Sequence, residues 1–137
     1  MTFAKFEDIR AWQEARELNR LIHQICERAH VQRDKKWIEQ ITSASLSIMS
    51  NIAEGNDAIS DVEFARFLGF SKRSASEVRS QLYYALDKKY INQNEFDDLS
   101  ERTLKISAQI ANLINYLYKS KRRTRSNNNK GRVTSDK

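Results

Sequence analysis

Apolar residues recur every three or four positions in four segments of the chain, and short polar breaks separate these segments. This spacing places apolar side chains on one face of a helix, so each segment predicts an amphipathic α-helix. The predicted helices span about residues 7–29, about residues 34–54, a third segment after Ser60 and a fourth from near Asn94. Because short links favour antiparallel neighbours, the pattern predicts an all-α fold, an up-and-down antiparallel four-helix bundle.

Capping residues mark two of the breaks between the predicted helices. Ser60 is followed three residues later by Glu63, which is the spacing of a capping box, and Asn94 is a favourable cap for the fourth helix. Gly55 follows the apolar run of the second segment and predicts its end. Asn51, Glu54 and Gly55 are therefore interpreted as a structural turn. Glu54 stands at the negative end of a helix dipole, so we expect it to contact the free amides that open the next helix.

Composition narrows the class of protein. The chain has 137 residues, no proline, three glycines and one cysteine. This length suits one domain with a modest core, and the scarcity of turn-forming residues argues against sheets. A single cysteine allows no internal disulfide, and no apolar run approaches the roughly 20 residues that cross a bilayer. The start of the chain does not resemble a secretion signal, so we expect a cytoplasmic protein without membrane contact.

Positive charge is concentrated at the end of the chain. The formal net charge is +6, and eight of the 24 basic residues but only one of the 18 acidic residues lie from Lys119 to Lys137. The first 118 residues are therefore close to neutral. The last segment is rich in Ser, Asn and Lys with almost nothing apolar to bury, which is typical of disorder. The sequence predicts a bundle over residues 1–118 and a flexible, disordered basic C-terminal tail over residues 119–137.

This tail is the candidate nucleic-acid-binding segment. Basic side chains neutralise phosphates and release condensed counterions, which gives salt-sensitive affinity for RNA or DNA without sequence preference. No aromatic residue follows Tyr118, so phosphate contacts are expected rather than base stacking. A purely solubilising tail is the alternative. The candidate binding residues are Lys119, Lys121, Arg122, Arg123, Arg125, Lys130 and Arg132.

A second candidate surface lies on the third predicted helix, opposite its apolar stripe. There, aromatic and charged residues recur at helical spacing: Arg66, Phe70, Arg73, Glu77 and Tyr84. Exposed aromatics flanked by arginine are typical of protein interfaces, since monomers avoid sizeable apolar patches. We interpret this face as an oligomer or partner interface, ahead of nucleic-acid binding and of chance exposure.

Chemical motifs are sparse. His23, Cys26 and His30 share one helix face, but the two histidines are about 10 Å apart along the helix axis, which is long for a single zinc ion. The chain has no glycine-rich phosphate loop, no nucleophile with a plausible histidine partner and no Glu-x-x-His pair. We expect no metal, no cofactor and no enzymatic activity.

Five motifs occur in a characteristic order along the chain: Trp12–Ala15, Gln40-Ile41, Asn51–Gly55, Glu63–Leu68 and Ser74–Leu82. Together they resemble a known bacterial family whose members are encoded in intervening sequences of large-subunit ribosomal RNA genes. The resemblance covers roughly residues 3–118. It implies a four-helix bundle that assembles into a ring-like homopentamer. The accessory proteins of diversity-generating retroelements share this architecture and bind nucleic acid and a reverse transcriptase.

One departure from the family pattern bears on the binding site. Thr42 and Ser43 stand where family members usually carry arginine after the Gln-Ile pair, so we expect nucleic-acid contacts in the tail rather than on the second helix. The sequence thus predicts a non-enzymatic homo-oligomeric scaffold that binds RNA or DNA through its tail. The alternative is a protein-interaction adaptor, for example an accessory subunit of a reverse transcriptase.

Overall fold

The computed structural model describes residues 3–131, with side chains over residues 3–119, and this part of the chain folds into four α-helices after one short 3-10 helix. Each helix contacts its two neighbours in a closed ring, since α1 and α3 both pack against α2 and α4. Within the described residues the diagonal pairs make no such contact. This confirms the up-and-down four-helix bundle. The elements are the 3-10 helix Phe6–Asp8, α1 Arg10–Cys26, α2 Lys35–Asn56, α3 Asp61–Asp87 and α4 Gln93–Gly131.

Aliphatic side chains from all four helices fill the interior. Two buried serines reach across it: the Ser71 hydroxyl donates to the Ile48 carbonyl at 2.7 Å, and the Ser45 hydroxyl donates to Asn19 Oδ1 at 3.0 Å. Because these polar groups have partners, their burial costs little. Twelve large apolar side chains are less than 2% exposed: Leu18, Ile22, Val31, Ile41, Ile48, Ile52, Phe64, Leu68, Leu82, Ile106, Ile110 and Leu117.

Side-chain caps begin three of the helices. Asp34 Oδ1 accepts from the Trp37 amide at the start of α2. Ser60 Oγ accepts from the Glu63 amide at the start of α3, as the sequence predicts. The prediction of Asn94 as the cap of α4 is wrong by two residues. Asn92 Oδ1 accepts from the Glu95 amide while the Asn92 amide donates to the Glu95 carboxylate, which is a reciprocal capping box.

The turn assigned to Asn51, Glu54 and Gly55 is also misplaced, because all three residues lie inside α2. Glycine is required at position 55 for packing: a Cβ there would stand 2.8 Å from Phe64 Cδ1 and 3.0 Å from Phe67 Cβ. Glu54 is exposed, and among the described residues it makes no hydrogen bond or ion pair with the start of α3, where Ser60 already caps the amide.

The outer bounds of two helices differ from the sequence pattern. α1 begins three residues later and ends three residues earlier than expected: the 3-10 helix Phe6–Asp8 precedes it, and a turn that buries Val31 follows it. α4 continues to Gly131, although its apolar stripe ends at Leu117. The division into a bundle and a flexible tail after residue 118 stays a prediction, and residues 132–137 lie outside the described part.

The close approach at Gly55 predicts opposite effects for two alanine substitutions. Gly55→Ala forces a methyl group against Phe64 and is expected to lower the free energy of unfolding by about 1–3 kcal/mol. Gly69→Ala is the matched control, since no heavy atom lies within 4 Å of its added Cβ. It should stabilise α3 by about 0.5–1 kcal/mol. Urea unfolding measures both, and equal effects would contradict the packing role of Gly55.

Candidate functional site

The predicted face on α3 is exposed and is organised around Phe70. The Arg66 guanidinium lies 5.3 Å and the Arg73 guanidinium 5.0 Å from the centroid of the Phe70 ring. The Phe67 and Phe70 rings meet edge to face with their centroids 6.1 Å apart. Arg66 Nη1 also forms a salt bridge with Glu63 Oε1 at 3.0 Å. Two cations flanking one half-buried ring form a compact aromatic and basic patch, which we call the Phe70 patch.

Tyr84 belongs to a different environment from the Phe70 patch. It stands 14 residues further along α3, about 21 Å at the helical rise, and its hydroxyl donates to Asp34 Oδ2 at 3.0 Å. Glu77 lies exposed between the two. The predicted face therefore runs along α3 and contains two separate groups of interacting side chains, one around Phe70 and the other around Tyr84.

Beneath this face, polar side chains join α2 and α3. The Asn51 amide donates to the Ser47 carbonyl at 2.9 Å and to its hydroxyl at 3.0 Å, and the Ser74 hydroxyl donates to Ser47 Oγ at 2.9 Å. Asn51 thus bonds within α2 to Ser47, the residue that Ser74 contacts from α3, and does not form a turn.

Asp34 forms the hub of the second centre, at the end of the bundle where α2 begins and α3 ends. Its Oδ2 atom accepts from the Tyr90 hydroxyl at 2.6 Å as well as from Tyr84, while Oδ1 caps Trp37. The Tyr90 hydrogen bond, then the Trp37 amide, the Tyr84 hydroxyl and the nearby Lys88 charge lower the pKa of Asp34. The same hydrogen bond raises the pKa of Tyr90 to about 12.

The sequence did not reveal this hub, because the two tyrosines lie 50 and 56 residues from Asp34 and Asp34 resembles an ordinary helix cap. A second feature that the sequence analysis missed was readable from spacing. α4 carries an outer stripe at intervals of three and four residues, which meets its core stripe at Ile114. Leu104 is 49% and Tyr118 is 48% exposed, and the residues between them on this stripe are half-buried: Ser107, Ala111 and Ile114.

The tail candidates fall mostly outside the described side chains. Lys119 is exposed. The side chains of Lys121, Arg122, Arg123, Arg125, Lys130 and Arg132 lie outside the described residues, so the tail site stays a prediction.

The histidine and cysteine constellation on α1 is not assembled as a site. Cys26 is buried, and this burial raises the pKa of its thiol to about 11, while His23 and His30 are exposed. The His30 ring contacts Tyr90 at 6.2 Å. Over the described residues, no three His, Cys, Asp or Glu side chains stand close enough to share a metal ion.

No helix in the described part of the chain combines the length and apolarity needed to cross a membrane. The model of the family described as 23S rRNA-intervening sequence protein matches residues 7–112. No curated protein sequence matches the chain. Among solved structures, a protein of unknown function from the S23 ribosomal protein family of Bacteroides thetaiotaomicron superposes with a TM-score of 0.69. It is 20% identical, and the match covers 76% of this chain and 97% of that one.

The Asp34 hub predicts an acid-sensitive component of stability. A carboxyl group whose pKa is lowered by folding stabilises the fold above its unfolded pKa, and this contribution disappears as the pH falls through the folded pKa. Asp34→Asn keeps an acceptor for the cap but cannot titrate. Between pH 5 and pH 2.5, the urea midpoint of Asp34→Asn should therefore fall less than that of the unmodified chain.

The control for this experiment is Asp57→Asn, which removes an exposed carboxylate just after α2. Its urea midpoint should follow that of the unmodified chain over the same pH range. If Asp34→Asn and the unmodified chain lose stability in parallel, the hub does not contribute to acid sensitivity.

Proposed function

The chain belongs to the 23S rRNA-intervening sequence protein family, and we propose that it is a non-enzymatic, homo-oligomeric helical scaffold that binds RNA or DNA through its basic tail. The observation that carries this proposal is the division of charge along the sequence. A nearly neutral bundle precedes a segment with eight basic residues and one acidic residue. Such a segment attracts phosphates by counterion release and contacts no particular sequence.

Oligomer formation rests on the resemblance and on the Phe70 patch. The resemblance implies a ring-like homopentamer, and Phe70 offers an aromatic ring between two guanidinium groups on the outer face of α3. Aromatic residues and arginine are enriched at protein interfaces. Assembly would bring several tails onto one nucleic acid, so weak contacts per tail would combine into strong binding.

The proposal that the protein is not an enzyme is supported by the positions of two carboxylates whose pKa is lowered. The pKa of Glu95 is lowered mainly by its hydrogen bond to Arg28, and the pKa of Glu17 mainly by its hydrogen bond to Arg20. The first pair joins the turn after α1 to the start of α4, and the second spans one turn of α1. These are structural ion pairs rather than an acid and a base placed around a substrate.

A protein-interaction adaptor is the second candidate function, and the exposure of the Phe70 patch favours it. If the oligomer forms through another surface, this patch remains free for a different partner, for example a reverse transcriptase as the resemblance implies. In the scaffold function the Phe70 patch contacts another copy of this chain, whereas in the adaptor function it contacts a different protein. The Phe70→Glu substitution distinguishes the two.

The first experiment removes the charge of the tail without shortening the chain. The variant combines Lys121→Gln, Arg122→Gln, Arg123→Gln and Arg125→Gln. Binding to a fluorescent single-stranded RNA is followed by anisotropy over a range of KCl concentrations. The slope of log affinity against log salt should become shallower by about 3, at roughly 0.7 for each lost phosphate contact.

The matched control exchanges the same arginines for lysine, as Arg122→Lys, Arg123→Lys and Arg125→Lys, which preserves the charge. It should keep the salt slope of the unmodified chain. An unchanged slope in the glutamine variant would remove the tail from the function.

The second experiment tests the oligomer surface. Phe70→Glu places a carboxylate in the Phe70 patch and should reduce the molar mass measured by light scattering toward that of one chain. Leu104→Glu is the control, because Leu104 is an equally apolar, 49% exposed side chain on α4. Dissociation by Leu104→Glu alone would place the interface on the outer stripe of α4 and leave the Phe70 patch to the adaptor function.

A further inference from the structure

Two segments that are far apart in sequence meet at one end of the bundle. Residues 33–36 enter α2, and residues 88–89 leave α3. They are held together by the two tyrosine hydroxyls that donate to Asp34 Oδ2 and by the Trp37 indole N–H, which donates to the Gln81 carbonyl at 3.1 Å. This end therefore has a fixed geometry.

The two segments bring five exposed cations to this end, against one carboxylate, Asp34, while the exposed Asp87 lies directly before the second segment. In the part of the chain that the structure describes, none of the five takes part in a salt bridge. Asp34 already accepts three hydrogen bonds. Lys88 Nζ lies 6.0 Å from the centroid of the Tyr84 ring. Since no ion pair within the described residues neutralises the five cations, they can attract an outside anion. We call this group the basic end: Arg33, Lys35, Lys36, Lys88 and Lys89.

Lys89 occupies a strained position within the basic end. Its φ angle is 64°, which makes it the only non-glycine residue with a positive φ among the described residues. α3 ends there in a Schellman arrangement, in which the Tyr90 amide donates to the Ala85 carbonyl and the Lys89 amide to the Leu86 carbonyl. Glycine or asparagine is usual at this position, because a positive φ strains the backbone of other residues. Lys89 places a positive charge there in spite of that strain.

An open cavity of about 420 Å³ lies beside these cations, between α2 and α3. This volume is within the range of about 300–1,000 Å³ that small-molecule sites occupy. Tyr84 borders it with a ring that is 44% exposed, and Lys36 and Gln40 stand at its wall. Gln81 also lines the cavity, and its Oε1 atom, which has almost no accessible surface, accepts no hydrogen bond from any described residue. The cavity thus combines an aromatic surface with amide side chains, and one amide oxygen beside it has no donor.

We propose that the basic end is a second nucleic-acid-binding site, specific for single strands. Its cations hold phosphates, and the cavity receives one base, which packs against Tyr84; the Gln81 side chain turns toward the cavity, and its Oε1 atom then accepts an amino hydrogen of the base. Single strands fit because stacking on a protein aromatic ring needs an unpaired base. The site extends the proposed function and shares its ligand class, but Lys119 and the tail begin 26 residues beyond Gln93, about 39 Å away along α4.

The first test changes charge at the basic end of the full-length chain. Lys36→Gln with Lys88→Gln is compared with Lys5→Gln and Lys72→Gln, two exposed lysines elsewhere that give the same net charge. With labelled oligo-deoxyadenosine, the basic-end pair should lower affinity about tenfold and make the salt slope shallower by about 1.4. The control pair should change affinity less than about twofold. Equal losses for the two pairs would overturn the site.

The second test asks whether a base enters the cavity. An abasic oligonucleotide of the same length keeps all phosphates and should bind several-fold more weakly than oligo-deoxyadenosine. Gln81→Met removes the amide at similar volume and should erase that difference without altering binding of the abasic strand. Equal affinity of the unmodified chain for the two oligonucleotides would overturn the base pocket.

Lys89→Gly separates binding from folding. Glycine relieves the positive φ, so the thermal midpoint should stay equal or rise, whereas affinity for oligo-deoxyadenosine should fall by several-fold. A merely structural lysine would leave the affinity unchanged, and that result would contradict the assignment.

The glutamine variant of the tail keeps this proposal apart from the function of the tail. Loss of binding only in the tail variant would overturn the basic end and leave the tail function intact. Loss of binding only in the basic-end variant would support the basic end and overturn binding through the tail.

Discussion

The contact between α2 and α3 is the constraint on which both candidate surfaces depend. It is fixed at three levels: by the missing side chain of Gly55 against Phe64, by the Ser71 hydroxyl on the Ile48 carbonyl, and by the Trp37 indole on the Gln81 carbonyl. The register of the two helices is set by the close approach of Gly55 to Phe64 at one end. The hydrogen bonds at the middle and at the other end fix the same register. Because the register is fixed, the Phe70 patch and the basic end have defined positions on one side of the bundle.

The sequence was sufficient for the fold and for part of the helix boundaries. The period of the apolar residues counts helices directly, and the Ser60 cap acts within four residues, so both could be predicted. Gly55 could not be assigned correctly, since glycine statistics favour a helix end while the actual cause is a phenylalanine on another helix. Asn92 and Asn94 are equivalent as cap residues until the reciprocal contact with Glu95 distinguishes them.

The candidate sites were harder to predict because the sum of charges along the chain does not show which charged side chains lie close together in the fold. The first 118 residues are nearly neutral, yet a neutral sum is compatible with local separation of charge. Cations from residues 33–36 and 88–89 share one end of the bundle because α2 packs against α3, and there Asp34 accepts hydrogen bonds from tyrosines 50 and 56 residues away. By contrast, Arg66, Phe70 and Arg73 lie within one helix, and their grouping followed from the period of 3.6 residues alone.

A neutral bundle with charge at its two ends would make the proposed assembly compatible with the proposed binding of a polyanion. Subunits that pack side by side bring their helix faces together, where a high net charge would oppose association. Charges farther apart than about 10 Å are largely screened at 0.1 M salt, so cations near the ends of the bundle add little repulsion across its sides. The same cations remain accessible to phosphates. In the proposed oligomer, each subunit would then present a strand-binding end and a tail about 40 Å apart, and one nucleic acid could contact both.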